Sequence, residues 1–252
     1  MDIYKKRTKP QLEYRDEALK REMMVLVAQL NGLDYVPKVK GIARDSKSLY
    51  LELEFVGGET IMEVMNRERV FGLGTLEFWE TLAERLGAVH DCGVVHHDVS
   101  SSNIMVRGVI YENDPVILDF GFSNVFSLMR SGYIVGNPCF IPPEQAQAFP
   151  FPFDINDPRS DIYSLGALMY YCLSGNYVFT IPKKLKLDKS KKGQFLAEMH
   201  VRAKPEPLHL RKKGVPLSLS GVVMKCLKKN PDDRFESAQD LAFALREVRK
   251  SL

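Results

Sequence analysis

Two short apolar runs in the middle of the chain, each bordered by polar residues, constrain the fold most strongly. Residues 103–106 (Asn-Ile-Met-Val) and 116–118 (Val-Ile-Leu) have the composition of short strands, and residues 113–115 (Asn-Asp-Pro) between them form a turn sequence. Upstream, residues 48–56 alternate between apolar and polar side chains, as a half-buried strand does. The sequence therefore predicts a hairpin preceded by at least one further strand.

Helical periodicity surrounds these strands and prevails after them. Thr75 stands where it can cap a helix, and residues 12–30 have the helical period. The predicted apolar faces are Leu19, Met23, Leu26, Val27 and Leu30 in one helix, and Trp79, Leu82, Ala83, Leu86 and Val89 in the other. Three more helices are predicted at 161–173, 220–229 and 237–248, the last with a capping box from Ser237 to Asp240. We expect an α+β fold, with a small mixed part followed by a larger helical part.

Length and composition exclude several classes of protein. The chain has 252 residues, enough for one large domain or two small ones, and it needs no disulfides to bury a core. No apolar run approaches the ~18 residues of a membrane span, and no secretory signal is expected at the N-terminus. The four cysteines lie far apart without metal-ligand spacing, which is typical of free thiols in a reducing compartment. We expect a cytoplasmic protein.

Three polar residues at the strand boundaries form a chemically meaningful set. Asp98 precedes the hairpin, Asn103 opens its first strand, and Asp119 follows its second. Carboxylate and amide oxygens suit Mg²⁺, so Asn103 and Asp119 are candidate metal ligands, while Asp98 can accept a proton from a substrate hydroxyl. Taken singly, such residues usually cap helices or form turns. The ordered triple favours phosphoryl-transfer chemistry.

This set resembles the signature of protein kinases. Residues 96–103 are similar to the catalytic loop, and residues 119–121 (Asp-Phe-Gly) to the metal-binding motif. Residues 136–144, 161–166 and 230–235 resemble the end of the activation segment, the long buried helix and the late arginine motif. The motifs stand in family order from about residue 3 onward. The chain is identified as resembling a eukaryotic-type (Hanks-type) serine/threonine kinase of the kind that bacteria also carry.

The resemblance implies a two-lobed fold and an ATP- and Mg²⁺-dependent transfer of the γ-phosphate to a protein hydroxyl. It implies a single kinase domain over 1–252, with a truncated small β-rich lobe at 1–56 and a mainly helical lobe at 57–252. Its nucleotide-binding residues would be Lys5, Glu22, Leu53, Glu54 and Val56, and its catalytic residues Asp98, Ser100, Asn103 and Asp119. Lys5 stands in a basic run, so a solvated charge is the alternative for it.

Two structural contacts are also implied by the resemblance. Glu144 and Arg234 should form a buried ion pair between the activation segment and the large lobe. His96 should pack against Phe120 and take no part in proton transfer.

The sequence departs from the family pattern at four places. The strands and glycine-rich loop expected before Lys5 are missing, for which an N-terminally shortened chain is one explanation. His97 replaces an arginine that usually receives an activation-loop phosphate, Ser100 replaces a lysine, and Asn137 replaces a threonine. Each change weakens electrostatic stabilisation of the transferring phosphate. A pseudokinase that acts as a binding or scaffold module is therefore the alternative to an active kinase.

Residues 181–213 carry eleven Lys or Arg against three Asp or Glu, a local charge of +8 in a chain whose net charge is +3. A solvated loop is the ordinary interpretation. The sharper hypothesis is a docking surface for an acidic protein substrate or regulatory partner. Nucleic acid is not expected, because Phe195 is the only aromatic residue of the segment.

Overall fold

The fold begins with a three-stranded antiparallel sheet. A computed structural model of the chain describes residues 3–7, 24–44, 49–68, 71–108, 114–123, 136–147 and 156–252. The strands of this first sheet are β1 (Ile3–Arg7), β2 (Val39–Arg44) and β3 (Leu49–Glu54), in the order β1-β3-β2. Leu51 and Leu53 are buried while Tyr50 and Glu52 are half-exposed, so the predicted alternation is confirmed for residues 50–53. The strand ends at Glu54, and Phe55, which continues the apolar alternation, is 54% exposed.

The predicted helix at 12–30 is described only from residue 24 onward, where Val25–Gln29 form a π-helical turn. Val25, Leu26 and Leu30 are buried, but Val27 is 51% exposed, so its assignment to the apolar face was wrong. Leu30 donates its N–H to the carbonyl of Val25 at 3.1 Å, five residues back. A π-turn takes one more residue than an α-turn, which changes the phase of the side chains.

A second small sheet carries the predicted hairpin. Strands β4 (Glu59–Thr60), β5 (Ile104–Val106) and β6 (Pro115–Ile117) pair antiparallel in that order. Gly58 makes the approach of β4 to β5 possible, because it has φ +129° and a Cβ there would lie 2.1 Å from the carbonyl oxygen of Val106. The hairpin prediction is confirmed.

Helices make up most of the remaining chain. The long helix α4 is buried around nearly its whole circumference, and α2 packs against α8. The helices are α1 (Ile61–Glu68), α2 (Leu76–Asp91), α3 (Pro143–Ala146), α4 (Arg159–Ser174), α5 (Lys189–Arg202), α6 (Leu208–Arg211), α7 (Leu217–Cys226) and α8 (Ala238–Lys250). The expected α+β class, with a small sheet region and a larger helical region, is confirmed. Within the described ranges, no helix is long and apolar enough to cross a bilayer.

The helix ends test the capping predictions. Ser237 and Asp240 form the predicted capping box. The N–H of Asp240 donates to Ser237 Oγ at 3.0 Å, and the N–H of Ser237 donates to Asp240 Oδ2 at 3.1 Å. Thr75 precedes α2 but does not cap it; its hydroxyl donates to the carbonyl of Gly72 at 2.8 Å, because Leu73–Thr75 form a 3₁₀ turn that runs directly into the helix. The helix predicted at 220–229 instead begins after Pro216, at Leu217, and ends at Cys226.

The predicted pair of Glu144 and Arg234 is present and fully buried. Two guanidinium nitrogens donate to the two carboxylate oxygens at 2.6 and 2.7 Å, and both side chains are 0% exposed. Ser160 Oγ also donates to Glu144 Oε1 at 2.7 Å, and Arg234 donates to the carbonyls of Lys228, Arg159 and Lys229. These bonds compensate both charges and join α3 to α4 and to the segment before α8.

Candidate active site

A cavity of about 470 Å³ lies between the first sheet and the hairpin. One wall is the end of β3 and the segment after it, where Leu53, Glu54 and Val56 stand as predicted. The opposite wall includes Asn103 and Asp119, so the proposed adenine-binding and metal-binding residues share one space. Lys5 lies in β1 opposite Glu52, and Glu22 lies outside the described residues, so the roles predicted for these two stay predictions.

Asp98 is held at the rim of this region by two donors. The Asn103 amide donates to Asp98 Oδ2 at 2.7 Å and to the Asp98 carbonyl at 2.9 Å, and the N–H of Asn137 donates to Asp98 Oδ1 at 2.9 Å. Burial raises the pKa of the Asp98 carboxyl to about 6, although His96 and the two donors act in the opposite direction. The side chain is thus oriented, ionised at neutral pH and basic enough to accept a proton.

His96 supports this loop as predicted. Its ring packs edge-on against Phe120 with centroids 4.8 Å apart. Its Nδ1 accepts the N–H of Asp98 at 3.2 Å and its Nε2 donates to the carbonyl of Leu118 at 2.9 Å. His96 therefore connects Asp98 to the strand end that carries Asp119.

Asp161, near the start of α4, fixes the backbone of the same loop. Its carboxylate accepts hydrogen bonds from the backbone N–H groups of His96 and His97, each at 2.8 Å. It is also hydrogen-bonded to Nε2 of His90 at 2.9 Å. Burial opposes ionisation of Asp161, but the His90 hydrogen bond and the neighbouring histidine rings lower its pKa to about 2. No role in the site was predicted for this residue from the sequence. Its only signal was the motif at 161–166.

Asn103 and Asp119 have the chemistry of a Mg²⁺ site. Asp119 has φ +62°, and its Oδ1 accepts the N–H of Gly121 at 3.2 Å. Because the Asn103 amide nitrogen is used by Asp98, its carbonyl oxygen is available as a ligand. Within the described residues, no group of three or more His, Cys, Asp or Glu side chains is arranged to hold a metal ion.

Comparison with known proteins decides the family. The family described as protein kinase domain matches residues 2–243. The chain belongs to the protein kinase family. It is 29% identical over 198 residues to serine/threonine-protein kinase PknB of Mycobacterium tuberculosis, a match that covers 76% of the chain and 29% of PknB. It is 30% identical over 244 residues to serine/threonine-protein kinase pkn2 of Myxococcus xanthus, covering 94% of the chain and 28% of pkn2.

A third relative is a probable serine/threonine-protein kinase of Clostridium acetobutylicum, 24% identical over 221 residues that cover 86% of the chain and 31% of that protein. The kinase domain therefore spans less than a third of the length of these curated relatives. Their names support the predicted resemblance to bacterial Hanks-type serine/threonine kinases.

The kinase domain accommodates its unusual loop residues without disturbing Asp98. His97 has φ +65° and is 2% exposed, its ring nitrogens have no hydrogen-bond partner among the described residues, and burial lowers its pKa. Ser100 is buried, with its Oγ 3.1 Å from that of Ser102, which donates to Asn103 Oδ1 at 3.4 Å. The Asn137 side chain accepts a hydrogen bond from the N–H of Cys139 at 3.0 Å, so Asn137 contacts Asp98 through its backbone N–H and not through its side chain.

Proposed function

We propose that the chain is an ATP-dependent protein serine/threonine kinase that transfers the γ-phosphate to a hydroxyl of a protein substrate. The observation that carries this proposal is the hydrogen-bonded pair of Asp98 and Asn103 beside a cavity that Asp119 also lines. Phosphoryl transfer needs a metal, an aligned hydroxyl and charge stabilisation, and these three residues are of the types that supply the first two.

Asp98 is the group that orients the substrate hydroxyl and accepts its proton. Each carboxylate oxygen has one fixed donor, from Asn103 and from Asn137, so the carboxylate cannot rotate freely. A side chain that is already oriented avoids the entropic cost of alignment during the reaction.

Asn103 and Asp119 would hold Mg²⁺. When bound, the metal neutralises charge on the phosphates. The adenine would lie near Leu53, where Glu54 already donates its N–H to the carbonyl of Lys38 at 2.8 Å. Hydrogen bonds to the adenine base would therefore come from the backbone after Glu54, including that of Val56. Ser100 supplies no positive charge and supports Asn103 through Ser102.

Residues 1–56 contribute to the small lobe and residues 57–252 form the large lobe of this kinase domain. The supporting feature is the position of the cavity, between the first sheet and the hairpin. We assign the protein to the cytoplasm because of its free cysteines and the serine/threonine kinase chemistry, which uses intracellular ATP.

The test is transfer of radiolabelled γ-phosphate from Mg·ATP to a mixed protein substrate, together with calorimetric Mg·ATP binding. Asp98→Asn should lower transfer by at least ~10²-fold while Mg·ATP still binds, and Asp119→Asn should weaken that binding. Asp91→Asn, an exposed carboxylate on α2, is the matched control. Equal transfer by wild type and Asp98→Asn would refute the assignment of Asp98. Mg·ATP binding without any transfer by wild type would favour the pseudokinase.

A further inference from the structure

A lysine-rich surface at the start of α5 lies beside the segment that holds Asp98. Gly193 of α5 packs against Pro138, since a Cβ there would lie 3.6 Å from Pro138 Cγ. The preceding residue, Asn137, donates its N–H to Asp98 Oδ1 at 2.9 Å. We call this surface the lysine surface; it consists of Lys183, Lys184, Lys186, Lys189, Lys191 and Lys192, all exposed. The first turn of α5, which carries Lys189, Lys191 and Lys192, is therefore linked through Pro138 and Asn137 to the residue that would orient a substrate hydroxyl.

Buried contacts hold α5 in this position. His200, one of its last residues, is 0% exposed, accepts the Tyr163 hydroxyl on Nδ1 at 2.9 Å and donates from Nε2 to the carbonyl of Cys139 at 3.2 Å. Lys229 Nζ donates to the carbonyl of His200. Since Cys139 follows Pro138, the helix is joined to the same segment at a second point. The part of the lysine surface that belongs to α5, with Lys189, Lys191 and Lys192, is thus held in a defined position relative to the segment that contacts Asp98.

The charge of the lysine surface is not balanced locally. Asp188 is the only acidic residue between 182 and 193; it accepts the N–H of Lys191 at 2.9 Å and pairs with the Lys191 ammonium at 3.6 Å. The other five lysines have no acidic partner among the residues that the structure describes. Cations at a helix N-terminus also oppose the helix dipole, and the first turn of α5 contains no acidic residue. Helix stability therefore does not explain these lysines.

We propose that the lysine surface docks an acidic segment of the protein substrate, close in sequence to the phosphorylated hydroxyl. This inference rests on the proposed kinase function and names its substrate class. An extended peptide advances about 3.4 Å per residue, so acidic residues roughly three to six positions from the hydroxyl would reach the flexible lysine side chains. A single strand of nucleic acid is a poorer fit, because Phe195 is half-buried and stacking platforms need exposed aromatic rings.

The test compares two fluorescent peptides that share one serine. One carries four glutamates within six residues of that serine, and the other carries glutamines there. Binding to the full chain is measured by anisotropy without ATP. At about 50 mM NaCl we expect roughly 10-fold tighter binding of the acidic peptide, and at about 300 mM NaCl this advantage should largely disappear. The triple variant Lys186→Ser, Lys189→Ser, Lys192→Ser should lose the preference.

The matched control removes the same number of positive charges elsewhere, with Lys204→Ser, Lys213→Ser and Lys228→Ser, and should keep the preference. Equal affinity for the two peptides, or equal losses in the two triple variants, would overturn the lysine surface as a docking site. So would an oligonucleotide of equal charge that binds the same lysines as tightly. Phosphate transfer to both peptides is followed in parallel. Absence of transfer to these peptides and to the mixed protein substrate would refute the kinase function, and with it the role of the bound peptide as substrate, while the binding data still decide the surface.

Discussion

Replacement of Asp98 by asparagine should stabilise the protein at neutral pH. Burial raises the pKa of this carboxyl from 3.8 to about 6, so the folded protein binds the proton more tightly than the unfolded chain. Stability is therefore lost as the pH rises from about 4 to about 6, and above that range the ionised carboxylate costs about 3 kcal/mol. Asparagine has the same shape and carries no charge, so the variant avoids this cost.

Part of the gain is offset. The Asn103 amide, which donates to Asp98 Oδ2 at 2.7 Å, would face an amide instead of a carboxylate, and a lost hydrogen bond costs about 1 kcal/mol. The net gain is about 2 kcal/mol at pH 7.5, which for a chain of this size raises the Tm by roughly 4–8 °C. At pH 5 the cost of the carboxylate is about half as large, so the Tm should rise by only roughly 1–2 °C.

The assay is thermal unfolding followed by circular dichroism at both pH values, with Asp91→Asn as the control. The control should change the Tm little, as exposed substitutions usually do. A gain that is the same at pH 5 and pH 7.5, or a lower Tm at pH 7.5, would refute the explanation. The hydrogen bonds to the carboxylate would then outweigh the cost of burying its charge.

Three further predictions concern the same framework. Because Asp98 must be ionised to accept a proton, kcat/KM for transfer should fall tenfold per pH unit below about pH 6, and a flat profile down to pH 5 would contradict this. Arg234→Met should lower the free energy of unfolding by about 3–5 kcal/mol in urea, since it leaves Glu144 buried without its partner, whereas Arg234→Met with Glu144→Met should restore part of that loss. Asp161→Asn should lower kcat by roughly 10²-fold with little change in Mg·ATP affinity, because it loosens the loop that carries Asp98. An equally large loss of Mg·ATP affinity would contradict this prediction.

The sequence predicted those parts of the fold and site that depend on local pattern. Strand alternation at 50–53, the hairpin and the Ser237–Asp240 cap follow from spacing within a few residues, and all three are confirmed. The triple of Asp98, Asn103 and Asp119 was predicted because its members border two strands. The orientation of Asp98 was not predictable in this way, since it depends on a backbone N–H 39 residues away in sequence, at Asn137.

The other differences between prediction and structure also arise from features that a local sequence pattern does not contain. The side chain of Val27 is exposed because one π-turn changes the helical phase, and periodicity analysis assumes a constant phase. Asp161 reaches the His96 and His97 amides across 65 and 64 residues, so only a folded chain reveals its role in the site. The basic segment was expected to be a solvated loop; all its lysines except the half-buried Lys212 are exposed, but residues 189–202 form α5.

The contact of Asp161 with the loop has an evolutionary consequence. The carboxylate binds backbone N–H groups, which every residue except proline possesses, so these two hydrogen bonds use no atom of the side chain at position 97. A change from arginine to histidine there can remove a phosphate-binding side chain without moving the neighbouring Asp98, the proposed proton acceptor. Selection can therefore alter how the domain is controlled separately from how it catalyses. The amides of His96 and His97 should accordingly be among the slowest to exchange with deuterium.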